Sequence, residues 1–230
     1  MYTNKKNGKI KVLFTLMCLF CLSVLLFSEK DVQAASMKKA ALKAYKVFLS
    51  QKTIKWSDTT PNLPLSKCTF TLAYIDGDSI PELIIGSGSS TSHAEGYYQL
   101  YTYRNGKVTY VDNLMDGFAY YKKKGVYCSS HSGTGGVETY YYKFSKGKIE
   151  YKLHSIDERQ SGFDLNNDGK ITIYYEQVIK AQNPFYQSVT KGIGKKLFNG
   201  ELQKLTGKTK KKTVKKLYDN TAANRKKRIK

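Results

Sequence analysis

The sequence predicts a mainly β fold of the α+β kind, an antiparallel meander of hairpins with an N-terminal helix and a short C-terminal helix. Three observations carry that expectation. Tight-turn pairs recur at Asn105-Gly106, Lys124-Gly125 and Lys146-Gly147. Each stands between runs rich in β-branched and aromatic residues, and Asn-Gly in that setting is the strongest short hairpin signal. Twelve tyrosines lie between residues 97 and 151, a density that suits a pleated, half-buried surface more readily than an aromatic face for sugars or peptides. Before and after this region, apolar residues fall at helical spacing.

The first 34 residues stand apart from that fold. Lys5, Lys6, Lys9 and Lys11 precede an apolar run of 16 residues, Val12 to Phe27, and Val32-Gln33-Ala34 supplies small residues where a signal peptidase reads. The pattern predicts a signal peptide over residues 1–34, cleaved between Ala34 and Ala35. The run is short for a membrane span, which needs about 20 apolar residues. The expected location is therefore secreted or cell-wall associated. Two of four cysteines leave with the leader, and Cys68 and Cys128 remain. An oxidising exterior permits a disulfide between them, and two buried thiols fit equally.

Residues 35–206 are expected to form the β-rich domain. Met37, Ala41, Tyr45, Phe48 and Leu49 recur on one face of a helix predicted over 36–50, with Ser36 as its cap. Trp56, the single tryptophan, is expected to close the core. Thr69–Ile75 and Leu83–Ile85 read as strands around an acidic loop. Ile149, Tyr151 and Leu153 alternate with Glu150, Lys152 and His154, which predicts a strand with one wet face. A short helix is expected over Asn199–Leu205, with Leu202 and Leu205 inward and Gly207 ending it.

The loop Ala73-Tyr74-Ile75-Asp76-Gly77-Asp78-Ser79-Ile80-Pro81-Glu82 brings three carboxylates together within seven residues. Oxygen ligands at alternate positions suit a hard cation such as calcium, so Asp76, Asp78 and Glu82 are candidate metal ligands. The same residue types also serve ordinary turns. A second loop, Asp164-Leu165-Asn166-Asn167-Asp168-Gly169, follows the EF-hand order of oxygens at positions one, three and five and glycine at six. It adds Asp164, Asn166 and Asp168 as candidates, and an Asx-type turn leading into a strand over Ile171–Tyr175 explains the same residues. Position twelve is Tyr175 rather than a carboxylate, and Glu176 follows one residue late.

Charge is concentrated at the end of the chain. The formal net charge is +21, and the leader holds five lysines and two acidic residues, which leaves about +18 for the remainder. Residues 191–230 carry fifteen Lys or Arg against Glu201 and Asp219. Residues 207–230 are read as a basic C-terminal tail. For a secreted chain, anionic cell-envelope polymer or a membrane surface suits such a tail as a partner, and a solvated lysine face that serves solubility fits equally. Nothing points to specific nucleic-acid binding.

Catalytic signals are sparse. Cys128 and His131 are a thiol–imidazole pair in sequence, yet a spacing of three along a strand puts them on opposite faces. Asp112, Asp116, Glu138, Asp157 and Glu158 offer carboxylates for glycoside hydrolysis with nothing to select two of them. The expected function is a non-enzymatic binding module, with a secreted hydrolase as the alternative.

Residues 72–85 resemble the Asp-rich calcium loop of FG-GAP/VCBS-type repeats. Asp76, Gly77, Asp78 and Glu82 match that loop's third, fourth, fifth and ninth positions, while Tyr74 and Ser79 replace its first Asp and its second Gly. The 164–176 loop is similar to those of EF-hand and dockerin modules. More broadly, the leader, the Ile-Asp-Gly-Asp-x-Ile-Pro-Glu-Leu segment, the Tyr-rich hairpins and Asn220-Thr221-Ala222-Ala223-Asn224-Arg225 resemble uncharacterised secreted proteins of clostridial-type Gram-positive bacteria. The resemblance implies calcium as a structural ion and an extracellular location, and it brings no activity with it.

Overall fold

The hairpin turns take the backbone that their residues allow. Asn105 (φ 51°) with Gly106 (φ 77°), and Lys146 (φ 51°) with Gly147 (φ 72°), are both left-handed, the geometry whose twist matches paired strands. In the computed structural model, residues 31–57, 62–88, 97–115, 117–133, 136–157, 172–179, 188–214 and 216–230 are described.

Helix α1 runs over 31–49, followed by the short pair β1 (Thr53–Ile54) and β2 (Leu63–Pro64). Strands β3 (Thr69–Ala73), β4 (Glu82–Gly86), β5 (Tyr98–Arg104) and β6 (Lys107–Leu114) come next. A second run holds β7 (Ala119–Tyr121), β8 (Val126–Gly133), β9 (Gly136–Ser145), β10 (Lys148–Asp157), β11 (Thr172–Ile179) and β12 (Ser188–Ile193). The chain closes with α2 (Lys195–Thr206), β13 (Lys211–Thr213), β14 (Tyr218–Asp219) and α3 (Ala222–Arg228). Among the described residues the larger sheets have the orders β14-β3-β4-β5-β6 and β12-β11-β10-β9-β8-β7-β13. The antiparallel, mainly β architecture with helices at both ends is the predicted one.

Alternating side chains stack these elements into four layers. On one face of the five-stranded sheet, Phe70, Leu83 and Ile85 pack under Ala41, Tyr45 and Leu49 of α1. On its other face, Ala73, Ile84 and Leu100 meet Tyr127 and Phe144 of the seven-stranded sheet. Beyond that sheet, Val126, Cys128, Tyr141 and Leu153 face Phe198 of α2. Cys68 and Cys128 are free and buried, and they belong to the first and third of these clusters.

Several expectations need correction. Ser36 lies inside α1 rather than at its cap, and Met37 is exposed while Leu42 is buried. Helix α2 begins at Lys195, capped by Gly194, and its main anchor is Phe198. The β10 alternation breaks at a bulge between Tyr151 and Leu153. An extra residue in one strand reverses which face its neighbours address, so Ile149 packs between the sheets while Leu153 faces α2. His154 is buried as a result.

The segment read as a basic tail is built into the fold. Strand β13 pairs with β7, β14 pairs with Thr69 and Phe70 of β3, and Ile229 is fully buried in the α1 cluster. Asn220 Nδ2 donates to the carbonyl oxygens of Leu49 and Leu65 at 2.8 and 2.9 Å. Arg225 Nη1 donates to Asn220 Oδ1 at 2.8 Å. The amide thereby satisfies a carbonyl that α1's own ladder leaves orphaned at its C-terminus. Thr221 caps α3 through the Asn224 N–H.

Candidate metal centre

The acidic loop spans residues 74–81, between β3 and β4, and its carboxylates first organise its own backbone. Asp76 Oδ1 accepts the Asp78 N–H at 3.1 Å, and Asp78 Oδ1 accepts the Ile80 N–H at 2.7 Å. Glu82 Oε2 accepts the Ile75 N–H at 2.8 Å. Each acid spends one oxygen inside the loop. Asp76, Asp78 and Glu82 still bring one oxygen each to within 4.8 Å of the others, so the spacing read in the sequence becomes a cluster in space.

The three acids differ sharply in environment. Asp78 is exposed, Asp76 is half-buried, and Glu82 is fully buried as the first residue of β4. Glu82 Oε1 has no hydrogen-bond partner among the described residues. Burial, reinforced by the Asp76 charge, pushes the Glu82 carboxyl up to about 9 against the pull of the Ile75 N–H. Burial also raises Asp76 to about 6. A buried carboxylate with an unmet oxygen is costly unless a proton or a cation meets it.

Long-range contacts, which no local spacing signals, hold the loop in place. Tyr45 of α1 donates its hydroxyl to the Pro81 carbonyl at 2.9 Å. Its phenol is raised by burial first and by Glu82 and Asp78 next. On the other side, the β7–β8 turn grips the loop through Lys123 N–H to Tyr74 O (3.0 Å) and Gly125 N–H to Ile75 O (2.7 Å). Tyr74, where the resembling repeats carry an acid, lies beneath the ammonium groups of Lys38 and Lys123 at 5.5 and 5.8 Å. The donor set is thus three carboxylates, and their hard oxygens suit calcium.

Asp164, Asn166 and Asp168 lie outside the described residues. Glu176 is on β11, in register between Leu153 and Lys191. The structure does not bring together the catalytic candidates. Cys128 pairs with Tyr141 and His131 with Glu138 on adjacent strands, so the two side chains point to opposite faces. Burial pushes the Cys128 thiol up to about 11, away from the low value a thiolate nucleophile requires. Asp112 accepts the Tyr127 hydroxyl and Glu138 the Tyr140 hydroxyl, each at 2.6 Å. Asp116 and Glu158 lie outside the described residues, and Asp157 ends β10.

The lysines of the supposed tail converge elsewhere. A groove of about 720 Å³ opens between β3 and β13, lined by Lys210, Lys211, Lys212, Lys216, Tyr120 and Tyr218 among others. None of these four lysines meets a carboxylate among the described residues. Lys216 lies over the Tyr218 ring at 5.6 Å. Lysines on an edge strand also keep other chains from pairing with it.

Compared with protein-family models, curated proteins and solved structures, the chain matches none. Among the described residues, no helix is long and apolar enough to cross a membrane.

Proposed function

We propose that this chain is a secreted or cell-surface binding module without catalytic activity, in which calcium clamps the acidic loop and the lysine-lined groove holds an anionic envelope polymer. The observation that carries the clamp is Glu82. It is a fully buried carboxylate with one unmet oxygen, facing two further acids within 4.8 Å. Calcium takes six to eight oxygens, so the three acids act as anchors and water or backbone oxygens fill the remaining positions. Export is supported by the leader pattern, and cleavage before Ala35 leaves untouched the packed part of α1, which begins at Ala41.

The clamp is tested by thermal melting of residues 35–230 in millimolar calcium and in EDTA. Extracellular calcium modules bind at about 10⁻⁴–10⁻³ M, and mass action then raises the midpoint in calcium. An unchanged midpoint refutes the clamp. The polymer contact is tested with Lys212→Glu/Lys216→Glu against Lys226→Glu/Lys227→Glu, which change the net charge equally. Salt-sensitive retention on teichoic-type polymer falls more in the first pair if the groove is the contact. Equal loss in both pairs reduces it to general cationic attraction.

A further inference from the structure

Helix α1 covers only part of the five-stranded sheet. It packs over β3 and β4 and reaches β5 through Phe48, whose ring lies 4.9 Å from that of Tyr101. Past that contact the same face of β5 and β6 forms the floor of a second cleft of about 700 Å³, walled by the end of α1 and by residues 53–57. Its volume falls within the range of small-ligand sites.

Among the described residues the lining combines the rings of Phe48, Trp56, Tyr101 and Tyr110 with amide and hydroxyl side chains, and Lys55 is its one charge. Tyr110, half exposed, meets Tyr101 edge to face at 5.8 Å and 76°, so the rings form a fixed corner. Gln99 is buried and rigidly held. Its Nε2 donates to the carbonyl oxygens of Trp56 (2.8 Å) and Lys55 (3.2 Å), and its Oε1 accepts the Tyr101 hydroxyl at 2.6 Å. These bonds tie wall to floor, so the cleft is preformed. Asn113 is the exception. Its Nδ2 reaches Trp56 O only at 3.5 Å, and its Oδ1 has no partner among the described residues. Its amide lines the cleft with a buried acceptor left unmet, which a ligand hydroxyl would satisfy.

We infer that this cleft is a binding site for a neutral saccharide of one or two rings. A sugar ring offers an apolar C–H face to the exposed Tyr110 ring and hydroxyls to amide and phenol groups. Among the described residues, an anionic ligand would find one lysine here, and a cationic ligand no carboxylate. The inference rests on the binding-module reading, but not on calcium or on the lysine groove, since the cleft lies on the α1 side of the sheet and Glu82 points to the other.

Trp56 is the chain's single tryptophan and lines the cleft, so its fluorescence reports on occupancy. The experiment titrates residues 35–230 with glucose, galactose, mannose, N-acetylglucosamine, maltose, cellobiose and chitobiose. A saturable change is expected for at least one sugar, with a Kd of about millimolar order. Tyr110→Ala should weaken it at least tenfold with only a small drop in the unfolding midpoint, because half of that side chain is in water. Asn113→Ala should also weaken it. Overturning results are no saturable change with any of the sugars, equal affinity in Tyr110→Ala, or saturation by an uncharged tyrosine-containing peptide in place of the sugars. A negative titration beside an intact calcium melt and intact polymer retention removes the cleft alone.

Discussion

Replacing Glu82 by glutamine separates the charge of the acidic loop from its shape. Glutamine keeps an oxygen to accept the Ile75 N–H and cannot ionise. In the native fold without a cation, the Glu82 carboxyl is raised from 4.5 to about 9. Between those values the folded protein holds a proton that the unfolded chain has released. Stability from this group is therefore complete below about pH 4.5 and is lost as pH rises toward 9. The slope is about 1.4 kcal/mol per pH unit, so from pH 4.5 to 7 the loss reaches about 3 kcal/mol. Asp76, raised to about 6, adds its own loss at lower pH in both proteins and largely cancels in their difference.

The expected outcome has two opposite signs. In EDTA at pH 7, Glu82→Gln should be more stable than the wild type by up to about 3 kcal/mol, and the gap should close on acidification toward pH 4.5. In calcium the wild type should gain about 1.4 kcal/mol when the ion is tenfold above its Kd, and the variant should gain nothing. Calcium must also displace the Glu82 proton, so below pH 9 its apparent affinity should drop about tenfold per pH unit. Urea unfolding across pH 4.5–8, in EDTA and in calcium, measures all of this. A variant less stable than the wild type at pH 7 in EDTA, or stabilised equally by calcium, refutes the reasoning.

Other predictions follow from single contacts. Iodoacetamide should label Cys128 slowly until the protein unfolds, because a thiol at about 11 is thiolate in about one molecule in ten thousand at pH 7; rapid labelling of the folded protein at pH 6 would revive the hydrolase alternative. Gly125→Ala should cost about 2–4 kcal/mol, since its φ of +61° is left-handed and a Cβ would collide with the Phe144 carbonyl oxygen. Gly106→Ala, with open space around it, should cost about 1 kcal/mol, and equal midpoints for the two variants would deny the collision. Asn220→Ala should cost about 1–3 kcal/mol, because the Leu49 carbonyl keeps only the 3.5 Å contact to Arg225 and Arg225 loses the Asn220 Oδ1 acceptor, while the Leu65 carbonyl keeps the Cys68 N–H, read by urea unfolding. Amide exchange at Gly125 should slow in calcium in the wild type and not in Glu82→Gln.

What the sequence disclosed were features with a local cause. Asn105-Gly106 and Lys146-Gly147 announce their turns because a left-handed residue pair is a property of two adjacent residues. Asp76, Asp78 and Glu82 were legible for the same reason, being close in sequence before they are close in space. The β10 bulge was not, because nothing in Tyr151-Lys152-Leu153 distinguishes an extra residue from a regular one until β9 fixes the register. The C-terminal segment misled because a run of lysines looks solvated, while its anchors are few and distant. Asn220 reaches Leu49 across 171 residues, and Ile229 is one apolar residue among five basic neighbours. The aromatic cleft depends on where α1 ends relative to β6, a distance no motif encodes.

Ile75 explains why the charge of one buried acid bears on both sheets. Its N–H donates to Glu82 at the start of β4, and its C=O accepts the Gly125 N–H from the β7–β8 turn. Its side chain is fully buried in the cluster between the sheets. One peptide unit flanking Ile75 therefore binds the first sheet, and the next binds the second. Gly125 passes the connection on, since its own carbonyl accepts the Phe144 N–H at 2.6 Å, at the rim of the same inter-sheet core. A hydrogen bond to an ionised carboxylate is roughly twice as strong as one to its neutral form. An ion that keeps Glu82 ionised thus tightens the Ile75 end of this chain of bonds, and a proton relaxes it. The acidic loop is in this sense a joint between the layers, and under the proposed clamp its stiffness would follow calcium and pH.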